Sequence, residues 1–194
     1  MSGIVKLAAV CLLALTACTA ASHPVAKSDA GPCSELEAKD CLLLLDQQKV
    51  IGTPRLEALI AAGNSRLTDG EPEYAIPFYD AVINMNRTDP GGYLFRAKAL
   101  VALGDKFHRS GGLIDQALAK GHYSMAGEEY AKAIKMAPDQ AENYGPAVDA
   151  FLKGDKTNHC GLAKALRAQS ETRFGQTEAQ AAMAEMIKRT CGTL

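Results

Sequence analysis

The sequence predicts an all-α protein, an array of antiparallel helix pairs stacked side by side and closed by capping helices. Set against itself at an offset of 34, the chain puts Gly63 on Ala97 and Gly70 on Gly104, and Asp69-Gly70 falls one residue out of step with Gly104-Asp105. A period of this length fits a helix-turn-helix unit that cannot bury its apolar face alone and so stacks on its neighbours. Apolar residues recur at helical spacing between Gly and Pro breaks. The 194 residues, 47% hydrophobic and 22% charged, suit one globular domain of about 150 residues with an extra segment attached.

Charge narrows the partners. With 21 basic and 22 acidic side chains and no Lys/Arg-rich run, the chain has no electrostatic footprint for phosphate backbones, so nucleic acid is not an expected partner. The charged fraction is too ordinary for intrinsic disorder at this apolar content.

The chain begins with a single Lys6 and the uncharged run Leu7 to Ala17. This run is too short to span a bilayer, which takes roughly 20 apolar residues, and it reads as a secretory signal; a buried N-terminal helix is the plainer alternative. Its end, Leu15-Thr16-Ala17-Cys18, resembles the lipobox of bacterial lipoproteins. The resemblance implies that residues 1–17 are removed and that Cys18 is acylated as the new N-terminus. An ordinary signal peptide cut after Ala20 or Ala21 is the competing reading. Each buried acyl CH₂ contributes about 0.8 kcal/mol, and stable anchoring takes more than one chain. Thr19 stands where an inner-membrane retention signal has Asp, which implies the outer membrane, facing the periplasm. Residues 18–32 form the lipidated N-terminus and tether, and the stretch from Thr19 to Pro32, rich in Ala, Ser and Pro without apolar periodicity, spans on the order of 20 Å as coil.

The domain proper is expected over 33–194. Without the leader, four cysteines remain, and an even count in an exported chain points to disulfides. Of three pairings, Cys33 with Cys41 and Cys160 with Cys191 each tie neighbouring segments together. Chain entropy assigns roughly 2.6 kcal/mol to the first loop and roughly 3.7 to the second. A Cys₄ zinc site is the alternative, disfavoured by the absence of a C-x₂-C pair, and no other metal or cofactor site is expected.

Along the chain, Ser34 to Val50 opens with Ser34 and Glu37 in a capping-box pattern, and Leu42 to Leu45 can dock on the first helix pair. Leu59-x₂-Ala62-Gly63-x₂-Arg66 with Ala75-x₃-Tyr79 makes that pair. Tyr93-x₂-Arg96-Ala97-x₂-Leu100 opens a second, completed by Ala126-x₃-Tyr130, Ala133 and the stop at Pro138. Between these halves, residues 105–121 read as an insertion with a short extra helix around Leu113, Ile114, Ala117 and Leu118, bracketed by Gly111-Gly112 and Gly121. An insertion on a repeat array tends to project from one face, often the binding face; a decorative loop is the plain alternative. Tyr144-x₂-Ala147-Val148-x₂-Phe151 opens a third pair. Cys160 to Phe174 and Thr177 to Thr190, separated by Gly175, read as capping helices over about 160–190.

Over about 55–155 this pattern resembles the tetratricopeptide repeats, most closely from Ala126 to Phe151. The family implies a right-handed solenoid in which small residues let helix backbones approach while Tyr79 or Tyr130 fills the gap one turn later. Departures are the lack of Trp, Arg66 and Arg96 at sites usually aromatic or aliphatic, and Pro77 and Pro146 inside expected helices.

No catalytic constellation is present in the sequence, and the chain is not expected to be an enzyme. His23, His108, His122 and His159 are isolated, there is no G-x-S-x-G or P-loop, and Glu128-Glu129 reads as a solvated acidic pair. His159 beside Cys160 does not make a thiol nucleophile, since helix neighbours point different ways. The family resemblance implies a concave groove lined by the first helix of each pair, with Asn64, Lys98 and Asp149 facing into it and Ile60 and Leu94 one turn earlier. This mixture lacks the pattern that clamps a C-terminal carboxylate. The expectation is a membrane-anchored adaptor that binds segments of envelope proteins, in assembly, secretion, pilus biogenesis or cell-wall enzyme regulation. The alternative is a structural lipoprotein that binds peptidoglycan or other small envelope ligands.

Overall fold

A computed structural model describes residues 31–192. The leader, Cys18 and the tether up to residue 30 lie outside the described residues.

Eight α-helices succeed one another with short connections, and among the described residues there is no strand. They are α1 (Ala38–Gln47), α2 (Gly52–Thr68), α3 (Pro72–Met85), α4 (Pro90–Ser110), α5 (Leu113–Met136), α6 (Tyr144–Gly154), α7 (Lys156–Phe174) and α8 (Glu178–Cys191), with a 3₁₀ turn at Ala141–Asn143 before α6. From α2 onward each helix packs mainly on its chain neighbours, α8 also touches α6, and α1 leans on α2 and α3.

Local chemistry sets the boundaries. Pro72 and Pro90 occupy first-turn positions, where the missing N–H would have had no intrahelical partner. Asp89 accepts the Gly91 N–H, Asp155 those of Thr157 and Asn158, and Thr177 that of Gln180, so three helix starts carry side-chain caps. Gly111 ends α4 at φ 78°, in the left-handed region that favours glycine. Pro77 lies on the solvent side of α3, which runs through it, and Pro146 falls in the first turn of α6, where it removes no hydrogen bond.

The helix pairs close on small residues. A Cβ at Gly63 would come 2.6 Å from the Tyr79 ring, and one at Gly104 would come 2.7 Å from the Tyr123 ring, so α2 meets α3 and α4 meets α5 at a distance that only glycine allows. The main core joins α4, α5, α6 and the last two helices through Ala97, Leu100, Ala126, Tyr130, Tyr144, Phe151 and Ile187. A second cluster packs Cys41 and Leu45 of α1 against Leu59, Phe78 and Val82, as expected of a docking helix. Both disulfides form as paired in the sequence, Cys33–Cys41 with a Cα separation of 5.1 Å and Cys160–Cys191 with 5.9 Å.

Three expectations are corrected. The capping box at Ser34 does not form: residues 32–36 are turn, and α1 starts after Glu37, which makes no side-chain cap bond. The Cys33–Cys41 loop holds that turn against α1 and delays the helix. Residues 105–121 are not a separate element either. α4 continues to Ser110 and α5 begins at Leu113 and runs unbroken through Gly121, so the extra residues lengthen both helices of one hairpin. A lone glycine inside a helix costs only about 1 kcal/mol relative to Ala, and packing of Ala119 and Tyr123 outweighs it. The third is Glu129, which is buried.

Candidate functional site

Among the described residues no three or more His, Cys, Asp or Glu side chains are grouped to hold a metal, and the four domain cysteines are oxidised in pairs. His159 meets the edge of Phe151 at 5.0 Å and His122 stacks on Phe107 at 5.4 Å, so both imidazoles serve packing. Burial lowers the proton affinity of His122. No helix among the described residues is long and apolar enough to cross a membrane.

The five groove positions have different surroundings. Asn64 is exposed on α2 and its side-chain oxygen accepts the Tyr79 hydroxyl at 2.8 Å, while Lys98 is exposed on α4. Asp149 is half-buried on α6 and pairs with Lys153 at 2.7 Å, on an open cleft of about 350 Å³ bordered by Leu152, Met186 and Arg189. Ile60 is partly buried against the α1–α2–α3 core and Leu94 against the main core, so these two act more as packing than as free apolar contacts. No hydrogen bond or ion pair joins any of the five to another.

The arginines at unusual sites have found carboxylates. Arg96 pairs with Asp80 of α3 at 2.8 Å and with Glu129 of α5 at 3.1 Å, and Lys132 reaches Glu129 at 2.9 Å. Glu129 is only 4% exposed, so the acidic pair expected on a solvated face is split: Glu128 faces water, and Glu129 anchors a charge cluster binding three helices. Burial raises the Asp80 carboxyl above the usual carboxylate range and Glu129 adds to that, against the pull of Arg96. Arg66 likewise pairs with Glu71 at 3.0 Å and donates to the Leu36 carbonyl at 3.3 Å, holding the chain entry to the end of α2.

The widest apolar exposure lies elsewhere. Leu113 and Ile114, at the start of α5, are 87% and 78% exposed, and Leu118 comes one turn on at 43%. Beside them an open cleft of about 690 Å³ runs between Lys120, Gly121 and Ser124 of α5 and the α6–α7 junction. The helical spacing of Leu113, Ile114 and Leu118 is visible in the sequence; that no helix covers them is visible only in the packing.

Compared with protein-family models, with characterised proteins and with solved structures, the chain finds no match in any of the three.

Proposed function

We propose that this protein is a lipid-anchored, tetratricopeptide-like adaptor of the bacterial cell envelope, held through Cys18 in the outer membrane and binding segments of partner proteins on its helical array. The leading support is the helix order: in the paired helices α2–α3, α4–α5 and α6–α7, Asn64, Lys98 and Asp149 each directly follow a buried residue of the first helix, Gly63, Ala97 and Val148, and α1 and α8 lie at the two ends. Two disulfides suit an exported chain. The work done is recruitment. The anchor concentrates a polar helix face at the membrane, and affinity comes from laying a partner segment along it.

The test is affinity purification of the anchored protein after gentle crosslinking, beside a Cys18→Ala form and a form with Asn64, Lys98 and Asp149 all changed to Ala. A few stoichiometric envelope proteins, lost in the triple variant, are the expected result. No enriched protein in any form, with binding to purified sacculi instead, overturns the adaptor and favours an envelope-ligand binder.

A further inference from the structure

The start of α5 stands beyond the end of α6 and carries bare apolar side chains. Gly154, the last residue of α6, lies so close to α5 that a Cβ there would come 2.7 Å from the Ser124 backbone nitrogen. Ser124 is eleven residues into α5 from Leu113, so roughly 16 Å of helix stands beyond that contact at 1.5 Å per residue. Gly127 and Ser124 meet α6, and the same face of α5, continued toward its start in steps of three and four, carries Lys120, Ala117 and Leu113. Ala119 and Tyr123, on the side of α4, are buried. Of the exposed aliphatics, Leu113 prolongs the face that α6 covers further along, while Ile114 and Leu118 lie on the adjoining side of α5, which stays exposed at Met125 and Glu128 as well.

The chain enters the fold at this same end. Arg66, in the last turn of α2, holds the Leu36 carbonyl and pairs with Glu71 in the α2–α3 turn. Glu73, in the first turn of α3, pairs with Lys106 in the outer part of α4. These contacts place the residues just before α1 beside the α2–α3 turn, with the α4–α5 tip projecting past them. Between Cys18 and residue 31 lie twelve residues, which as coil reach on the order of 20 Å, more than the roughly 8 Å by which Lys106 to Gly111 carries the tip past the Glu73 contact.

We infer that the tip formed by Leu113, Ile114 and Leu118 rests in the headgroup-acyl boundary of the same bilayer that holds the Cys18 anchor, fixing the attitude of the domain on the membrane. This rests on the reading of Cys18 as acylated. An apolar helix face buried a few ångströms at the interface, flanked by cations for the phosphates, is a recognised mode of surface attachment. Arg109 and Lys120 supply those cations, and the two carboxylates nearby, Asp105 and Asp115, accept hydrogen bonds from Tyr123 and Ser110. With the tip and the anchor at one end, the helix faces that carry Asn64, Lys98 and Asp149 run away from the membrane and stay open to partners.

The sequence contains no Trp, so one introduced indole reports alone. Full-length acylated protein carrying Ile114→Trp is mixed with phosphatidylethanolamine-phosphatidylglycerol vesicles whose acyl chains are brominated, beside Leu113→Trp and beside Ile51→Trp, an exposed site at the opposite end of α2. The emission from positions 113 and 114 should move to shorter wavelength and lose most of its intensity, and that from position 51 should not change. Vesicle-bound, acylated protein with unquenched tip indoles overturns the inference and leaves the anchor standing, as does equal quenching at position 51. A blue-shifted tip before vesicles are added overturns it in favour of a second copy or a protein partner. An unmodified Cys18 and failure to float with vesicles overturn the anchor and the inference together.

Discussion

The two halves of the α4–α5 hairpin are built alike and end differently. In the half next to α6, Ala126, Tyr130 and Ile134 of α5 join Tyr144, Val148 and Phe151 in one core, and the Arg96–Glu129 cluster ties in α3. In the outer half only one side of α5 is used, through Ala119 and Tyr123 against α4, and the other side shows Leu113, Ile114 and Leu118 to solvent. Helix length contributes to the difference. α5 has 24 residues, roughly 36 Å, and α6 has 11, roughly 16 Å, so nearly half of α5 lies beyond that neighbour.

Substitutions should separate the halves. Phe151→Ala empties the space beside Gly127 and should cost about 4 kcal/mol of unfolding free energy in urea titrations. Removing the Cys160–Cys191 bond by paired Cys→Ala changes should cost about 3 kcal/mol, read from the same titrations with and without reductant. Arg96→Ala leaves the buried Glu129 carboxylate with Lys132 alone and should cost about 3 kcal/mol, and adding Glu129→Gln should restore part of that loss. In the outer half, Ile114→Ser should change stability by less than about 0.5 kcal/mol, because a side chain 78% exposed in the isolated protein loses little.

A pH-dependent effect sits at the junction where α6 gives way to α7. Asp155 caps α7, and hydrogen bonds from the Asn158 backbone and side chain and from the Thr157 N–H hold its carboxyl below the usual carboxylate range. A depressed folded value means stability that is present above the unfolded carboxylate range and lost as pH falls through the folded value. Below about pH 4, wild type should therefore converge in thermal stability on Asp155→Ala, whereas at neutral pH the two should differ.

Much of this architecture was legible in the sequence. Pro138 marks the end of α5, Thr177 caps α8, and the cysteine pairing was legible because an even count and short loops leave few sensible partners. What stayed hidden depended on contacts between distant residues. Gly121 reads as a break, since its neighbours in sequence cannot reveal that Ala119 and Tyr123 are held by α4. Glu129 reads as solvated until Arg96, 33 residues away, is seen beside it. Of the residues expected to line a groove, Asn64 and Lys98 are exposed, while Ile60 and Leu94 are drawn into cores that only the packing defines.

Amide hydrogen exchange along α5 of the full-length protein, with and without vesicles, probes the contrast between the halves most directly. Leu113 to Lys120 should exchange much faster than Ala126 to Met136 in the free protein, and vesicles should slow the first segment and leave the second unchanged. Equal protection along the whole helix in the free protein, or no response of the first segment to vesicles, would contradict it.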